Sequence, residues 1–300
     1  MKTILKIFLL IAVLCLAALP AETKENIFPL AINDGLGRKV IIEKKPVRVI
    51  SLSPSITEIL YSLGADKRIV AVTNNCNYPP QVKEKARIGD IHLDYEKIIE
   101  LKPDLLIAEG TIQSDSINKL EKLGMKVLAL NTSRLYDFRD SFIITARSVG
   151  EEAKGIKLLA DFDKKLSVIN SKVKKIPQNK KPGVFMEIWN QPLITAGSNT
   201  FINDLIEKAG GINVAVNSGS GFPRISLESL IEKNPQVIIL TTSKKKDILS
   251  NPLWKNMEAV KKGRVYEINP DLVARPTLRM IEALKMMNRW FYSRSSIGQK

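Results

Sequence analysis

Three hundred residues, 44% of them apolar, can bury a large core, which excludes a disordered chain and fits one large or two medium domains. The formal charge of +15 is scattered along the chain, with short runs only at "SKKKD" and "QNKKP". It therefore reads as a solvated basic exterior, with weak attraction to anionic lipid as the alternative, and not as a nucleic-acid groove. One histidine and two cysteines exclude multi-histidine zinc sites and thiolate clusters.

The chain opens on an address. Lys2 and Lys6 precede "IFLLIAVLCLAALPA", about fifteen apolar residues ending in small ones, the pattern of a signal-peptide core. Cleavage is predicted after Ala21, which makes residues 1–21 the leader; retention would turn them into an anchor. Cys15 follows the bulky Leu14 and reads as part of the apolar run, not as a lipid-modified cysteine. Without Lys2 and Lys6 the charge falls from +15 to +13. Cys76 is then the single cysteine, so no intramolecular disulfide is expected. No later stretch has the roughly 18 to 20 uninterrupted apolar residues of a membrane span. The mature chain is expected in solution outside the cytoplasmic membrane.

After a polar leader, "NDGLGRKVIIEKKPVRVISL" predicts a turn at Asp34 and Gly35, a strand over 39–43, a proline turn and a strand over 47–52. "SPSITEILYSLGA" predicts a helix with Ser53 as cap, Pro54 at its first position and Gly64 as its stop. A strand over 68–73, the loop "NNCNYPP", a helix over 95–101 and a strand over 105–108 follow. A helix over 114–123 and a strand over 126–130 complete the first series. Such alternation predicts parallel strands joined by right-handed helical crossovers. From about 135 to 175 the pattern becomes one long Lys-rich amphipathic stretch, read as one helix or two abutting ones around Gly150 and Gly155. A second series then begins: strand 184–188, helices 200–209 and 227–233, strands 237–241 and 264–268, and a final helix over 277–292. The predicted fold class is α/β, with two parallel-sheet lobes joined by a long connecting helix. The predicted divisions are 22–134, 135–175 and 176–300.

One unit is spelled twice. "YEKIIELKPDLLIA" from Tyr95 and "LESLIEKNPQVIIL" from Leu227 place Glu96 and Glu228, Glu100 and Glu232, and Pro103 and Pro235 in the same register, 132 residues apart. Each proline ends a helix and delivers the chain into a strand. Glu96 and Glu228 fall in the first turn, after the caps Asp94 and Ser226, where the helix dipole favours a carboxylate by roughly 0.3 to 1 kcal/mol. That local account explains either Glu alone. The matched register adds that two lobes would carry two carboxylates at related surface points, suited to a partner with two basic sockets.

Catalytic parts are scarce. His92, the single histidine, reads as a loop or helix-entry residue, and no G-x-S-x-G elbow, phosphate loop or G-x-G-x-x-G is present. No catalytic residue, cofactor or metal site is predicted. Binding loops are better represented: "NNCNYPP", "EIWNQPLITAG", "GSGFPRIS" and "NPDLVARP" each put an aromatic, a proline or a bulky apolar residue beside an inferred strand end or helix start.

With these motifs in view, the segments "GRKVIIEKKPVRVISLSPSITEILYSLGA", "IGDIHLDYEKIIELKPDLLIA" and "FPRISLESLIEKNPQVIIL" resemble the exported solute-binding proteins of metal-chelate ABC importers over about residues 32–292. The "NYPP" loop ahead of the Glu96 unit looks most like the cobalamin-binding branch. The resemblance implies that Glu96 and Glu228 dock onto arginines of a permease dimer in the inner membrane. It also implies that Ser53, Pro54, Ser55, Asn75 and Tyr78 line the first half of an interlobe cleft, and that Ile194, Phe222, Asp271 and Arg275 line the second. Asn75 and Ile194 stand where aromatic residues are expected, so the surface facing a corrin would be less aromatic than in the branch. The expectation is a monomeric periplasmic receptor, not an enzyme, that carries a cobalamin-like corrinoid as transported ligand. Haem or a ferric siderophore is the alternative ligand within the same importer class, with Tyr78, His92 or Tyr95 as the haem-ligand candidates. An exported two-lobed α/β enzyme using His92 is the alternative outside it.

Overall fold

The computed structural model describes residues 27–110 and 113–292, and the leader predicted at 1–21 lies outside them. The described chain begins with an antiparallel hairpin, β1 (Leu30–Asn33) and β2 (Lys39–Ile42). β1 lies in the stretch that reads, from residue types alone, as a polar leader. Its turn is organised by Asp34, whose carboxylate accepts the backbone N–H groups of Leu36 and Arg38 and the guanidinium of Arg38.

The first sheet is parallel throughout. Its strands are β3 (Val49–Ser51), β4 (Ile69–Val72), β5 (Ala86–Arg87), β6 (Leu105–Glu109) and β7 (Val127–Leu130), in the order β5-β4-β3-β6-β7. Its crossovers carry α1 (Pro54–Ser62), α2 (Tyr95–Glu100) and α3 (Ser114–Lys122). Ser53 caps α1 with Pro54 in its first turn, and Gly64 follows the helix at φ +73°, as the residue pattern predicts.

The stretch over 135–175 forms two helices rather than one, α4 (Asp137–Ser148) and α5 (Glu152–Lys174). Gly150 at φ +65° makes the corner. Gly155 lets them meet, since a Cβ there would stand 2.6 Å from the Cβ of Ala146. At 23 residues α5 is about 34 Å long.

The second sheet joins β8 (Gly183–Trp189), β10 (Ile212–Asn213), β11 (Val237–Leu240) and β12 (Val265–Glu267) in the parallel order β10-β8-β11-β12, with β9 (Ile194–Thr195) antiparallel on the end of β8. Around it lie α6 (Phe201–Lys208), α7 (Leu227–Lys233), α8 (Lys245–Ser250), α9 (Glu258–Lys261), α10 (Pro270–Ala274) and α11 (Met280–Tyr292). The short helices α8 to α10 and the two-residue strands escaped the sequence reading because so few residues show no period.

Alternate residues of the central strands enter different cores, which is why these strands read as continuous apolar runs. In β6, Leu105 and Ile107 face the core that includes Phe138, Phe142 and Phe162 of the connecting helices, while Leu106 and Ala108 face a satellite core with Ile98 and Ile117. In β11, Val237 and Ile239 join the same central core and Ile238 and Leu240 a second satellite. One apolar core thus runs through both lobes.

The two sheets share a strand order: β4-β3-β6-β7 corresponds to β10-β8-β11-β12. The repeated unit occupies the equivalent crossover in each, α2 into β6 and α7 into β11. The chain stops both helices in a way the prolines alone did not predict. Lys102 and Asn234, the residues before Pro103 and Pro235, are left-handed at φ +46° and +39°, not extended. Asn tolerates this conformation more readily than Lys.

Candidate functional site

Parallel sheets expose their ligand loops at the carboxyl ends of their strands. In the first lobe β3 runs into Ser53, whose Oγ lies 3.5 Å from Ile56 N of α1 and donates to Glu109 Oε1 at the end of β6 (2.5 Å). Gln113 holds the same strand end, accepting from Glu109 N (2.9 Å) and donating to Leu52 O (2.7 Å). These groups, with Pro54, Ser55, Asn75 and Asp90, line a cavity of about 430 Å³ that Asp271, Ala274 and Arg275 of the second lobe close. The volume is toward the lower end of the roughly 300 to 1,000 Å³ of small-molecule sites. The structure therefore brings together six of the predicted cleft residues: Ser53, Pro54, Ser55, Asn75, Asp271 and Arg275.

The other three lie elsewhere. Tyr78 lines a separate cavity of about 590 Å³ further along α1, beside Glu58, Tyr61 and Thr277. Its ring lies under the guanidinium of Arg279, 3.8 Å from the centroid. Ile194 and Phe222 sit where the 219–225 loop folds back on β9, tied by Thr195 N to Pro223 O (3.1 Å) and Ile225 N to Leu193 O (3.0 Å). They share the carboxyl edge of the second sheet with Asp271 and Arg275 but do not line the 430 Å³ cavity. Phe222 and Trp189, the last residue of β8, are more than half exposed on that edge.

Arg275 is chiefly a clamp between the lobes. Its guanidinium reaches Glu58 of α1 (2.9 Å), Asp271 (2.8 Å) and Asn77 (2.7 Å), and Asn77 in turn donates to Asp271 (2.9 Å). Glu58 also accepts from Thr277 (3.2 Å) and Arg279 (3.1 Å), and its side chain is 3% exposed. A second clamp joins the chain after β7 to α6. Arg134 makes a bidentate pair with Asp204 (2.8 and 2.7 Å), which also accepts from Leu135 N (2.9 Å). The Asp204 carboxylate beside it holds the Arg134 guanidinium above its ordinary pKa.

Glu96 and Glu228 are both exposed in the first turns of α2 and α7, behind Asp94 and Ser226, whose side chains accept from Lys97 N and Ser229 N as predicted caps. Hydrogen bonds from its own N–H and from Ser226 hold the Glu228 carboxyl below the usual carboxylate range. Three residues on, Ile99 and Ile231 are exposed in matched register. His92 is exposed in the turn ahead of α2, and among the described residues no group of His, Cys, Asp and Glu side chains is arranged to hold a metal ion.

Sequence reasoning missed Glu58, Asp90 and Glu109, and singled out Asn77 and Trp189 only as members of the "NYPP" and "EIWNQPLITAG" loops. Two of them left a trace: Glu58 interrupts a helix whose neighbours Ile56, Ile59 and Leu60 are all core, and Glu109 ends an apolar strand. Their partners are distant in the chain, so the trace names no role.

Residues 49–272 match a family described as periplasmic binding protein. An uncharacterized ABC transporter substrate-binding lipoprotein of Bacillus subtilis (strain 168), YvrC, is 33% identical over 278 residues, covering 91% of this chain and 88% of its own. A possible iron-binding, periplasmic solute-binding protein from Staphylococcus epidermidis ATCC 12228 superposes with a TM-score of 0.72 at 32% identity, over 83% of this chain and 100% of that one. The periplasmic vitamin B12 binding protein of Vibrio cholerae superposes with a TM-score of 0.73 at 28% identity, over 82% and 97%.

Proposed function

This chain belongs to the periplasmic binding protein family, as a substrate-binding protein of an ABC importer and not an enzyme, and on that premise we propose that it captures a cobalamin-like corrinoid between its lobes. In this reading the leader is removed after Ala21, the mature receptor works in the periplasm as a monomer, and it delivers its ligand to a permease dimer in the inner membrane. The observation that carries the delivery step is the matched exposure of Glu96 and Glu228 in equivalent crossovers of two sheets with one strand order. Two acidic points on two lobes fit a two-fold permease that presents a basic socket to each. Ile99 and Ile231, exposed beside them, add an apolar contact to each point.

The ligand lies in the interlobe cleft, with Ser53, Pro54, Ser55, Asn75 and Asp271 on its wall and Arg275 holding the wall in place. Ile194, Phe222 and Trp189 form the apolar rim on the second lobe. Tyr78 acts from behind the clamp, through Arg279. The relative from Vibrio cholerae named for vitamin B12 supports the corrinoid. The relative from Staphylococcus epidermidis described as possibly iron-binding supports a second reading, a ferric siderophore in the same cleft. Calorimetric titration of the mature protein with cyanocobalamin, haemin and a ferric hydroxamate separates the readings. Binding of cyanocobalamin at micromolar or tighter Kd, about −8 kcal/mol, supports the first. Haemin or hydroxamate binding alone replaces it, and no binding below about millimolar Kd removes the chelate reading.

A further inference from the structure

At long range a chain of formal charge +15 attracts anions. The cleft has the opposite sign. Three carboxylates, Asp90, Glu109 and Asp271, line it against one cation, Arg275, and no lysine. Arg275 is already engaged by Glu58 and Asp271. Among the described residues no cation pairs with Asp90, which accepts from Asn75 N (3.1 Å), or with Glu109, which accepts from Ser53 Oγ (2.5 Å). Both ends of the Gln113 amide are tied to backbone, so it does not turn to offset them. The carboxyl edge of the second sheet carries the exposed rings of Trp189 and Phe222.

Taking the cleft as the ligand site, on which this inference rests, we propose that it selects metal chelates whose periphery carries neutral or cationic hydrogen-bond donors, carboxamides or ammonium groups. It rejects chelates edged with carboxylates or catecholates, and Asp90 and Glu109 are the residues that discriminate. A peripheral amide N–H donates into their lone pairs as a charge-assisted hydrogen bond. A peripheral carboxylate in the same place meets two like charges, Asp90 and Glu109, that no cation among the described residues offsets. The specificity is therefore built from a repulsive element as much as an attractive one. The apolar faces of the same chelate rest on the second lobe's rings.

The test uses two matched pairs of probes on the mature protein. One is cyanocobalamin against its monocarboxylic acids, made by hydrolysing one side-chain amide. The other is ferrioxamine B, which carries an ammonium group, against its N-succinyl derivative, which carries a carboxylate. For the pair that binds, the acid form is expected at least tenfold weaker at neutral pH. That gap narrows when ionic strength rises from about 0.02 to 0.5 M, a readout that requires no variant. In Asp90→Asn with Glu109→Gln, each near-isosteric, the gap falls to within about threefold while circular dichroism and thermal melting stay as in the wild type. Equal binding of amide and acid, tighter binding of the acid, or a gap that survives both substitutions overturns the inference and leaves the chelate-receptor reading standing. Failure of both pairs to bind the wild-type protein overturns the inference, and the receptor reading falls with it only where haemin does not bind either.

Discussion

Replacing Glu58 by Ala removes the carboxylate on which the lobes are joined. Its side chain is 3% exposed, and it accepts from Arg275, Thr277 and Arg279 of the other lobe. Breaking a buried ion pair from one side costs about 3 to 5 kcal/mol, because the remaining charge stays buried. Asp271 still neutralises Arg275 at 2.8 Å, and Arg279 is 20% exposed, so the loss belongs at the lower end, about 3 kcal/mol. For a chain of this size that is a fall in Tm of roughly 5 °C. Urea unfolding of Glu58→Ala, Arg275→Met and the double variant measures the loss and its coupling, expected above about 1.5 kcal/mol for residues in direct contact. Spin labels placed one per lobe should show a broader distance distribution in Glu58→Ala, since the clamp and the shared core together set the lobe angle. A cost below about 1 kcal/mol, the worth of a solvent-exposed pair, with an unchanged distance distribution, would refute the clamp.

Three more outcomes follow from other parts of the structure. Glu96→Lys combined with Glu228→Lys should abolish transport in vesicles bearing the permease while leaving ligand affinity within about twofold, since neither residue touches the cleft; a loss of affinity would place them in the cleft or the fold. Burial pushes the Asp34 carboxyl up, but its hydrogen bonds from Arg38, Leu36 and Ala129 outweigh this and hold it below its ordinary value. A depressed carboxylate contributes stability above its unfolded pKa of about 3.9 and loses it as pH falls through the lower folded value, so Asp34→Asn should flatten the pH dependence of Tm below about pH 4. Gly155→Val should lower Tm by several degrees, because the new side chain meets Ala146 where the Cβ atoms would be 2.6 Å apart, and Ala146→Gly should recover part of the loss.

Much of the fold was legible because its signals are local. The predicted helix over 227–233 is found at those residues, and every predicted strand is present, most of them shortened by a residue or two and those over 105–108 and 184–188 lengthened to 105–109 and 183–189. Ser53, Asp94, Thr200 and Ser226 all cap helices with their side chains, since a cap depends on three or four neighbouring residues. The helix stops were half legible. Pro103 and Pro235 marked the right places, yet the left-handed turn before each is set by how the strand must enter its sheet, which no proline encodes. The candidate site was legible where it sits at a strand end in a motif, as at Ser53, and obscure where the partner is remote. Arg275 was expected in the cleft and lines its cavity, but its pairing with Glu58, 217 residues away, was not legible.

The sequence by itself determined two alternating strand-helix series, the long helical link between them, and the twice-spelled crossover that places Glu96 and Glu228 alike, because periodicity, caps and prolines act over one or two turns of chain. Tertiary structure alone decided which charged groups meet across the lobes, that Tyr78 lies behind the clamp and away from the cleft, and that a strongly basic protein has an acidic cleft. Those outcomes depend on distances between residues far apart in the chain, and on the balance between burying a charge and pairing it, which is settled only when the two lobes close on each other.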